Sequence, residues 1–383
     1  MSSLWNLGFR PFFLFGALWS VLQISVWAVF QAGWISSVPF SDPLIWHAHE
    51  MIFGYVLAIV AGFILTASQN WTGIPGVRGT HLKILVLIWG LGRFLSMFWK
   101  DAPLLFAFVD LLFLPALALA LKPYLWQKSQ SHNKVFFLLF LGLFLLNLLV
   151  HLSVFAWPFL PARSALHGSI FLTILIISVI AGRVIPFFAG VVIPGIKPIK
   201  KLWVEILSFA SLTAFSFSAV FWEFSRLTAV LAILAALAHL VRWLLWRPWW
   251  SVRPSVLFVL YVGYLWIPIG LIFAGLAALG LAPPSIATHA FTVGCIGTMI
   301  YGMITRVALG HSGRPMRVSP FIALGYALIS IAALARVLGP WIFPQQALVA
   351  FEVSGCLWVL AHAIFLIIYS PILCSPRVDG KPG

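Results

Sequence analysis

The chain has 383 residues, of which 62% are hydrophobic and only 8% are charged, and its formal net charge is +15. A soluble domain has about 25% charged residues, so this composition excludes an ordinary soluble protein and indicates an integral membrane protein. The positive charge does not indicate a nucleic-acid partner, because the basic residues are scattered singly between apolar runs and form no basic face. Cys295, Cys356 and Cys374 form no C-x-x-C pair, so neither a zinc knuckle nor a disulfide framework is predicted.

Twelve apolar runs are long enough to cross a bilayer, which takes about 20 residues of helix. Helices are predicted for all of them, since an open strand would leave backbone groups unpaired in lipid. The runs lie near residues 9–30, 46–67, 81–99, 103–121, 135–156, 165–189, 202–222, 226–246, 255–279, 286–309, 318–338 and 347–370. The predicted fold is an all-α integral membrane protein with 12 transmembrane helices in a single domain, residues 1–383.

The basic residues predict how the helices are oriented. Most lie in the N-terminal segment, in every second loop and in the C-terminal tail. The opposite side holds only Lys100, Arg163, Arg226 and Arg336. Because cytoplasmic loops carry the excess of Lys and Arg, both termini are predicted to be cytoplasmic.

Histidines lie near the outer ends of several predicted helices. In this orientation five of them fall in the outer third of the membrane, where ionisable groups are costly and usually mark a functional site. Neutral imidazole is a good ligand for heme iron and for copper. The predicted metal ligands are His47 and His49 on the second helix, His151 on the fifth, His167 on the sixth and His289 on the tenth.

Three of these histidines form a repeat. His49, His167 and His289 are 118 and 122 residues apart, and each opens a helix that is followed by three others. The spacing predicts a pseudo-threefold repeat of four-helix units, roughly residues 1–125, 126–250 and 251–383. Histidines on helices 2, 6 and 10 also occur in the catalytic subunit I of heme–copper oxidases, which is an analogy of fold. The tenth helix here has a single histidine and the seventh has none, so a standard oxygen-reducing binuclear centre is not expected.

The positions of the histidines constrain their roles. His47 and His49 point about 200° apart on a regular helix, so they are expected to serve different sites. Our first assignment makes His49 and His289 axial heme ligands and leaves His47, His151 and His167 for copper or a second heme. Exchanging His47 and His49 is an equally open alternative.

Charged residues in the same outer layer suggest further roles. Arg93 on the third helix and Asp110 on the fourth are predicted at one depth, either as a buried ion pair or with Arg93 binding heme propionates. Glu50 is predicted to orient an imidazole or to carry protons, and Glu50 and Asp110 are the candidate catalytic residues. Asn147 lies one turn from His151 and shares its face of the helix.

As a set, the motifs resemble the NnrS family of bacterial membrane proteins. The similarity runs from the first helix to the tenth. The matching segments are Phe9-Arg10-Pro11-Phe12-Phe13, His47-Ala48-His49-Glu50-Met51, Asn70-Trp71-Thr72-Gly73, Gly92-Arg93, Asp110 with Phe113-Leu114-Pro115, Asn147, His151, His167, Gly182-Arg183-Val184-Ile185-Pro186-Phe187 and residues 305–315, which end in His311-Ser312-Gly313-Arg314-Pro315. Ser312 stands where the family pattern has threonine.

The resemblance implies a bacterial inner-membrane protein that contains heme b and copper and takes part in nitric oxide metabolism, in denitrification or in defence against nitrosative stress. A nitric oxide reductase-type oxidoreductase would need two electrons and two protons per nitrous oxide formed, with the electrons supplied by a quinol or a redox partner. The alternatives are a membrane transporter, which the repeats and the charged residues within the membrane suggest, and a metal-handling or assembly factor for denitrification enzymes.

Overall fold

The computed structural model describes residues 3–40, 42–155, 160–193, 195–251 and 255–380. Helices build the fold throughout these ranges, and none of the residues within them lies in a β-strand. The all-α class that the composition indicates is therefore confirmed.

Each predicted apolar run corresponds to one long helix. The bounds are α1 (Phe9–Gln31), α2 (Pro43–Thr72), α3 (Gly79–Ser96), α4 (Pro103–Leu125), α5 (Val135–Val154), α6 (Ala162–Val192), α7 (Leu202–Phe221), α8 (Arg226–Leu245), α9 (Ser255–Ala278), α10 (Pro284–His311), α11 (Pro320–Ile342) and α12 (Ala347–Cys374). The fifth predicted run extends to Ala156, which lies outside the described residues.

Eleven of the described helices are long and apolar enough to cross a membrane. The remaining one, α3, has 18 residues and contains His81, Lys83 and Arg93, which lower its mean hydropathy. Because Arg93 is buried within the protein, its charge does not face lipid. The chain is thus a multi-pass helical membrane protein, and the side on which each terminus lies stays a prediction.

Local sequence signals set the ends of α2, the helix that carries His47 and His49. The Asp42 carboxylate accepts hydrogen bonds from the backbone N–H groups of Leu44 and Ile45 at 2.9 and 3.4 Å. Pro43 follows in the first turn, where its fixed φ suits a helix and its missing N–H costs nothing. The helix ends before Gly73, whose φ of +74° is easily reached only by glycine.

Two of the long helices widen into π-helical turns immediately after a histidine. In α2 the π-helical segment is Glu50–Val56 and follows His49, and in α10 it is Ala290–Gly297 and follows His289. Such turns are rare and occur mostly at functional sites. The corresponding part of α6, around His167, is continuous α-helix. The local structure thus relates helices 2 and 10 of the predicted repeat more closely than it relates either to helix 6.

The chain forms two compact units. The first contains residues 1–169, 304–317 and 362–383, and the second contains residues 170–303 and 318–361. In the first unit α2 packs against α1, α3 and α4, and α4 also packs against α5. The three repeat units suggested by histidine spacing are not tested by this division and stay a prediction.

A buried arginine joins four helices of the second unit. Arg242 on α8 donates to Glu205 on α7, with one contact of 3.0 Å from its Nε. Its Nη1 donates to the Ser178 hydroxyl at 2.8 Å and to the Tyr264 hydroxyl at 3.0 Å. The Tyr264 hydroxyl in turn lies 2.7 Å from Nδ1 of His239. The arginine therefore has a partner on each neighbouring helix, which offsets the cost of burying its charge.

Gly182 on α6 leaves the space that this arginine occupies. A Cβ atom at position 182 would lie 3.0 Å from Cζ of Arg242 and closer still to its Nη2. We expect Gly182→Ala to lower the free energy of unfolding by about 1–3 kcal/mol, because the guanidinium group must move away from Glu205. Thermal unfolding in detergent would measure the loss. Gly190→Ala is the control, since a Cβ atom there meets open space on the same helix, and equal effects of the two changes would contradict the prediction.

Candidate metal centre

Four helices of the first unit bring polar side chains together in its interior. His49 and Glu50 come from α2, Arg93 from α3 and Asp110 from α4, and Asn147 and His151 come from α5. All six are buried, with His49 and Glu50 completely inaccessible to solvent. The sequence interval between His49 and His151 is about a hundred residues, so only the packing of the helices makes them neighbours.

Both ring nitrogens of His49 face oxygen atoms. Its Nδ1 lies 2.9 Å from Oε1 of Glu50, and its Nε2 lies 3.0 Å from Oδ1 of Asn147. The side-chain oxygen of Asn147 faces His49 because its amide nitrogen donates to Oδ2 of Asp110 at 2.7 Å. A neutral imidazole has one N–H and can donate only once. The second contact therefore requires either a proton on the ring or a cation between the ring and its oxygen neighbours.

Asp110 lies between the two histidines of the cluster, His49 and His151. Its Oδ2 is 3.3 Å from Nε2 of His49 and 3.1 Å from Nε2 of His151. These three atoms, one from each residue, lie within 4.8 Å of one another. Ligand atoms about 2.1 Å from one metal ion lie about 3.0–3.4 Å apart. The two distances from Asp110 therefore already match the spacing that a single bound ion would need, and the two imidazole nitrogens lie within 4.8 Å of each other.

Arg93 joins the two carboxylates behind this group. Its Nη1 donates to both oxygens of Glu50 at 2.8 Å, and its Nη2 donates to Oδ1 of Asp110. The buried ion pair between Arg93 and Asp110 that was predicted from their depth is therefore confirmed. The guanidinium group uses both terminal nitrogens for carboxylates of the protein itself, so the geometry does not favour the heme propionate role.

The buried charges of this cluster do not cancel. Two carboxylates, Glu50 and Asp110, surround one guanidinium group, and one negative charge is left over in a site that excludes solvent. An isolated charge of this kind is too costly to keep in a protein interior. One additional positive charge, carried by an imidazole or by a metal ion, balances the site. The hydrogen-bond pattern of His49 leads to the same requirement.

Aromatic rings enclose the two histidines. The ring centroid of Trp99 is 4.9 Å from that of His49 and 5.4 Å from that of His151, and Phe106 lies at 5.6 and 5.1 Å from the same rings. Phe53 closes another side, 5.1 Å from His49. Sequence reasoning missed these aromatic residues, because Trp and Phe in apolar runs are common everywhere in this chain.

Two buried nitrogens of the cluster, Nε of Arg93 and Nδ1 of His151, have no hydrogen-bond partner. Nδ1 of His151 is inaccessible to solvent and contacts no donor or acceptor. With its Nε2 facing Asp110, the ring makes a single hydrogen bond although it is almost fully buried. Buried polar atoms are nearly always paired, so an unpaired one is often a sign of a functional role.

The other predicted ligands lie outside the group of three. His47 is half-buried, accepts a 3.1 Å contact from the Gln23 side-chain amide and stacks on Trp27 at 4.5 Å. His47 and His49 therefore face different neighbours, as their spacing predicted. His167 is half-buried in the first turns of α6. His289, in the second unit, lies 2.7 Å through Nδ1 from the Ser285 carbonyl oxygen, so Nε2 carries its lone pair.

The space around His49 and His151 suits an ion better than a porphyrin. Their ring centroids are 5.4 Å apart, and the Asp110 carboxylate contacts Nε2 of both rings. A heme held between two axial imidazoles needs an open slot for its macrocycle. At this point the carboxylate, Asn147 and the aromatic rings fill that slot. The predicted axial role of His49 stays a prediction that this packing does not favour.

The fold and the cluster together define a class of protein: a multi-pass helical membrane protein with a buried histidine–carboxylate group able to hold a metal ion. The sequence matches the NnrS protein family over residues 3–377, so the chain belongs to that family. Membership links this membrane protein to the response to nitric oxide. No curated protein matches the chain.

Proposed function

We propose that this protein binds a redox-active metal, copper by preference, at His49, Asp110 and His151, and that it handles nitric oxide at that metal. The observation that carries the proposal is the convergence of three ligand atoms from three helices in a buried site where two carboxylates share one guanidinium group. Family membership supplies the connection to nitric oxide.

The charge of the site supports copper. Imidazole is a good ligand for copper, and a cuprous ion would bring the sum over Glu50, Asp110 and Arg93 to zero with both histidines neutral. A divalent ion would leave the site with one positive charge.

The residues around the ligands have separate tasks in this proposal. Glu50 accepts from Nδ1 of His49, which directs the lone pair of Nε2 toward the metal and makes it a better donor. Arg93 donates hydrogen bonds to both carboxylates and so fixes their positions. In this proposal Glu50 is a positioning group and Asp110 is itself a ligand, and neither acts as a proton carrier. Trp99, Phe106 and Phe53 exclude water around the histidines, and nitric oxide, which is small and apolar, dissolves readily in such surroundings.

Copper, when bound, would supply the affinity for nitric oxide and one-electron chemistry. Reduction of two nitric oxide molecules to nitrous oxide and water takes two electrons and two protons. The electrons would come from a quinol or a protein redox partner, which makes a nitric oxide reductase-type oxidoreductase the enzymatic form of the proposal.

We also propose that the protein binds heme b, as the family resemblance implies, through histidines other than those that bind copper. His289 is the best placed of these in local structure, because its Nδ1 is held by a backbone carbonyl group and its Nε2 carries the lone pair. The π-helical turn that follows it matches the one after His49. Ligation of heme by His289, and roles for His47 and His167, stay predictions.

The test is direct measurement on the purified full-length protein. Protein made in cells with ample iron and copper should contain about one copper ion per chain, and its optical or electron paramagnetic resonance spectrum should change when nitric oxide is added. Protein that contains neither copper nor heme would refute the proposal. Such a result, together with co-purified denitrification enzymes, would favour the assembly-factor alternative, and metal or nitrite uptake into vesicles would favour the transporter.

A further inference from the structure

A cluster of basic residues forms where the two chain ends of the first unit meet the end of α10. We call the side chains of Arg10, Arg306, Arg314 and Arg377, together with His311, the arginine cluster. The charges of Arg314 and Arg377 act on Arg10, and those of Arg306, Arg377 and Arg10 act on His311, so each of the five groups lies within electrostatic range of at least one other. The resemblance to the family includes Arg10 and the segment 305–315, but the metal centre uses neither.

Two of the arginines have structural tasks. Nη1 of Arg10 donates to the carbonyl oxygens of Leu373 and Ser375 at 2.8 and 2.6 Å, at the end of α12. Nη1 of Arg377 donates to the carbonyl oxygen of His311 at 3.1 Å, at the end of α10. Arginine side chains commonly satisfy the last carbonyl groups of a helix. These contacts hold the cluster together, but neutral carbonyl groups leave its positive charge in place.

The carboxylate of Asp379 already pairs with Arg377, a member of the arginine cluster. Asp379 accepts from Nε and Nη2 of Arg377 at 2.8 and 2.6 Å. Gly313, with φ +73°, turns the chain directly before Arg314, and a Cβ atom there would lie 2.8 Å from Cγ of Asp379. The segment that carries Arg314 is therefore packed tightly against the C-terminal residues rather than free in solvent.

Among the described residues Arg314, unlike Arg10 and Arg377, donates no hydrogen bond to a helix-end carbonyl group. Its Nη1 is inaccessible to solvent and has no hydrogen-bond partner. A guanidinium nitrogen that is buried, unpaired and near other cations is costly. An anion that accepts from it would remove both costs, since it supplies the missing acceptor and neutralises part of the cluster.

We propose that the arginine cluster binds a phosphate group, carried by an anionic lipid headgroup or by free phosphate, with Arg314 as its principal ligand. The guanidinium fork matches two phosphate oxygens, and phosphate brings the negative charge that the cluster lacks. The cluster lies at the ends of α1, α10 and α12, where transmembrane helices reach the headgroup layer, and basic pockets between helices bind lipid headgroups there. This site is independent of the metal centre and of its proposed function.

Arg314→Gln tests the proposal in the full-length protein, and Arg317→Gln is the matched control, an exposed arginine three residues further along. Binding of phosphatidylglycerol would be followed by native mass spectrometry in a neutral detergent. The effect of inorganic phosphate would be followed by the midpoint of thermal unfolding. We expect Arg314→Gln to weaken binding about tenfold, the effect of losing one charge-assisted contact, and Arg317→Gln to leave it unchanged.

The two measurements distinguish a phosphate group on a lipid from free inorganic phosphate. A tenfold loss confined to phosphatidylglycerol identifies a lipid site, and stabilisation by phosphate that disappears in Arg314→Gln identifies a site for the free anion. Arg314→Lys, which keeps the charge but not the fork, replaces Arg314→Gln if that variant does not fold, with an expected loss of about threefold. Equal behaviour of the position 314 variant and Arg317→Gln in both measurements would overturn the proposal.

Discussion

Arg93→Met is expected to lower the free energy of unfolding by about 3–5 kcal/mol, one of the largest effects of any single substitution in this chain. The change removes the guanidinium group that contacts both Glu50 and Asp110 and leaves two carboxylates buried with no cation between them. Methionine has a similar length and is apolar, so packing changes little. Thermal unfolding of the metal-free protein in detergent measures the loss.

Arg226→Met controls for the loss of an arginine, because Arg226 is exposed at the start of α8. A second variant tests the charge argument itself. Adding Asp110→Asn to Arg93→Met removes one of the two unpaired negative charges, so the double variant should be more stable than Arg93→Met alone. If Arg93→Met were no more harmful than Arg226→Met, the charge balance described for the cluster would be wrong.

His151→Ala is expected to lower the copper content at least tenfold while the protein stays folded. His151 supplies one of the three ligand atoms of the proposed site, and its ring makes a single hydrogen bond, so its removal leaves fewer polar groups unpaired than the removal of His49. His49→Ala should lower the metal content as strongly but also cost stability, since it leaves Glu50 and Asn147 without their contacts to the ring. Metal analysis after gel filtration measures both outcomes.

His81→Ala is the control for this experiment, because His81 is exposed near the start of α3. Glu50→Gln adds a graded test, with a metal affinity about 10–100 times lower, the usual effect of removing a group that orients a ligand. If both His151→Ala and His49→Ala kept the wild-type copper content, the proposed ligand set would be wrong. His47, His167 and His289 would then be tested as ligands in the same way.

Much of the architecture could be predicted from apolar runs. Each of the twelve runs lies on a helix in the described part of the chain, because lipid-facing backbone must satisfy its own hydrogen bonds and leaves helices as the simplest solution. Hydropathy could not predict the π-helical turns after His49 and His289. Their only visible trace is a glycine five residues after each histidine, Gly54 and Gly294, a spacing too common to be informative.

The site could be predicted in part. The ion pair of Arg93 with Asp110, the common face of Asn147 and His151 and the separate directions of His47 and His49 all follow from helical periodicity and helix order. Periodicity does not say which neighbouring helix a side chain meets. For that reason the contact of both His49 and His151 with Asp110 was beyond sequence reasoning.

The amino-acid sequence by itself determined the class of this protein, its twelve helices and its family, and it indicated the histidines as candidate metal ligands but not Asp110. These conclusions depend on the composition, on the length and spacing of the apolar runs and on the order of residues along the chain, none of which requires knowledge of how the helices pack. The tertiary structure decided which of those residues share one site, that two carboxylates there share one guanidinium group, and that Nδ1 of His151 and Nη1 of Arg314 are buried without partners. Contacts of this kind depend on how helices far apart in the chain pack together, and no local pattern encodes that packing.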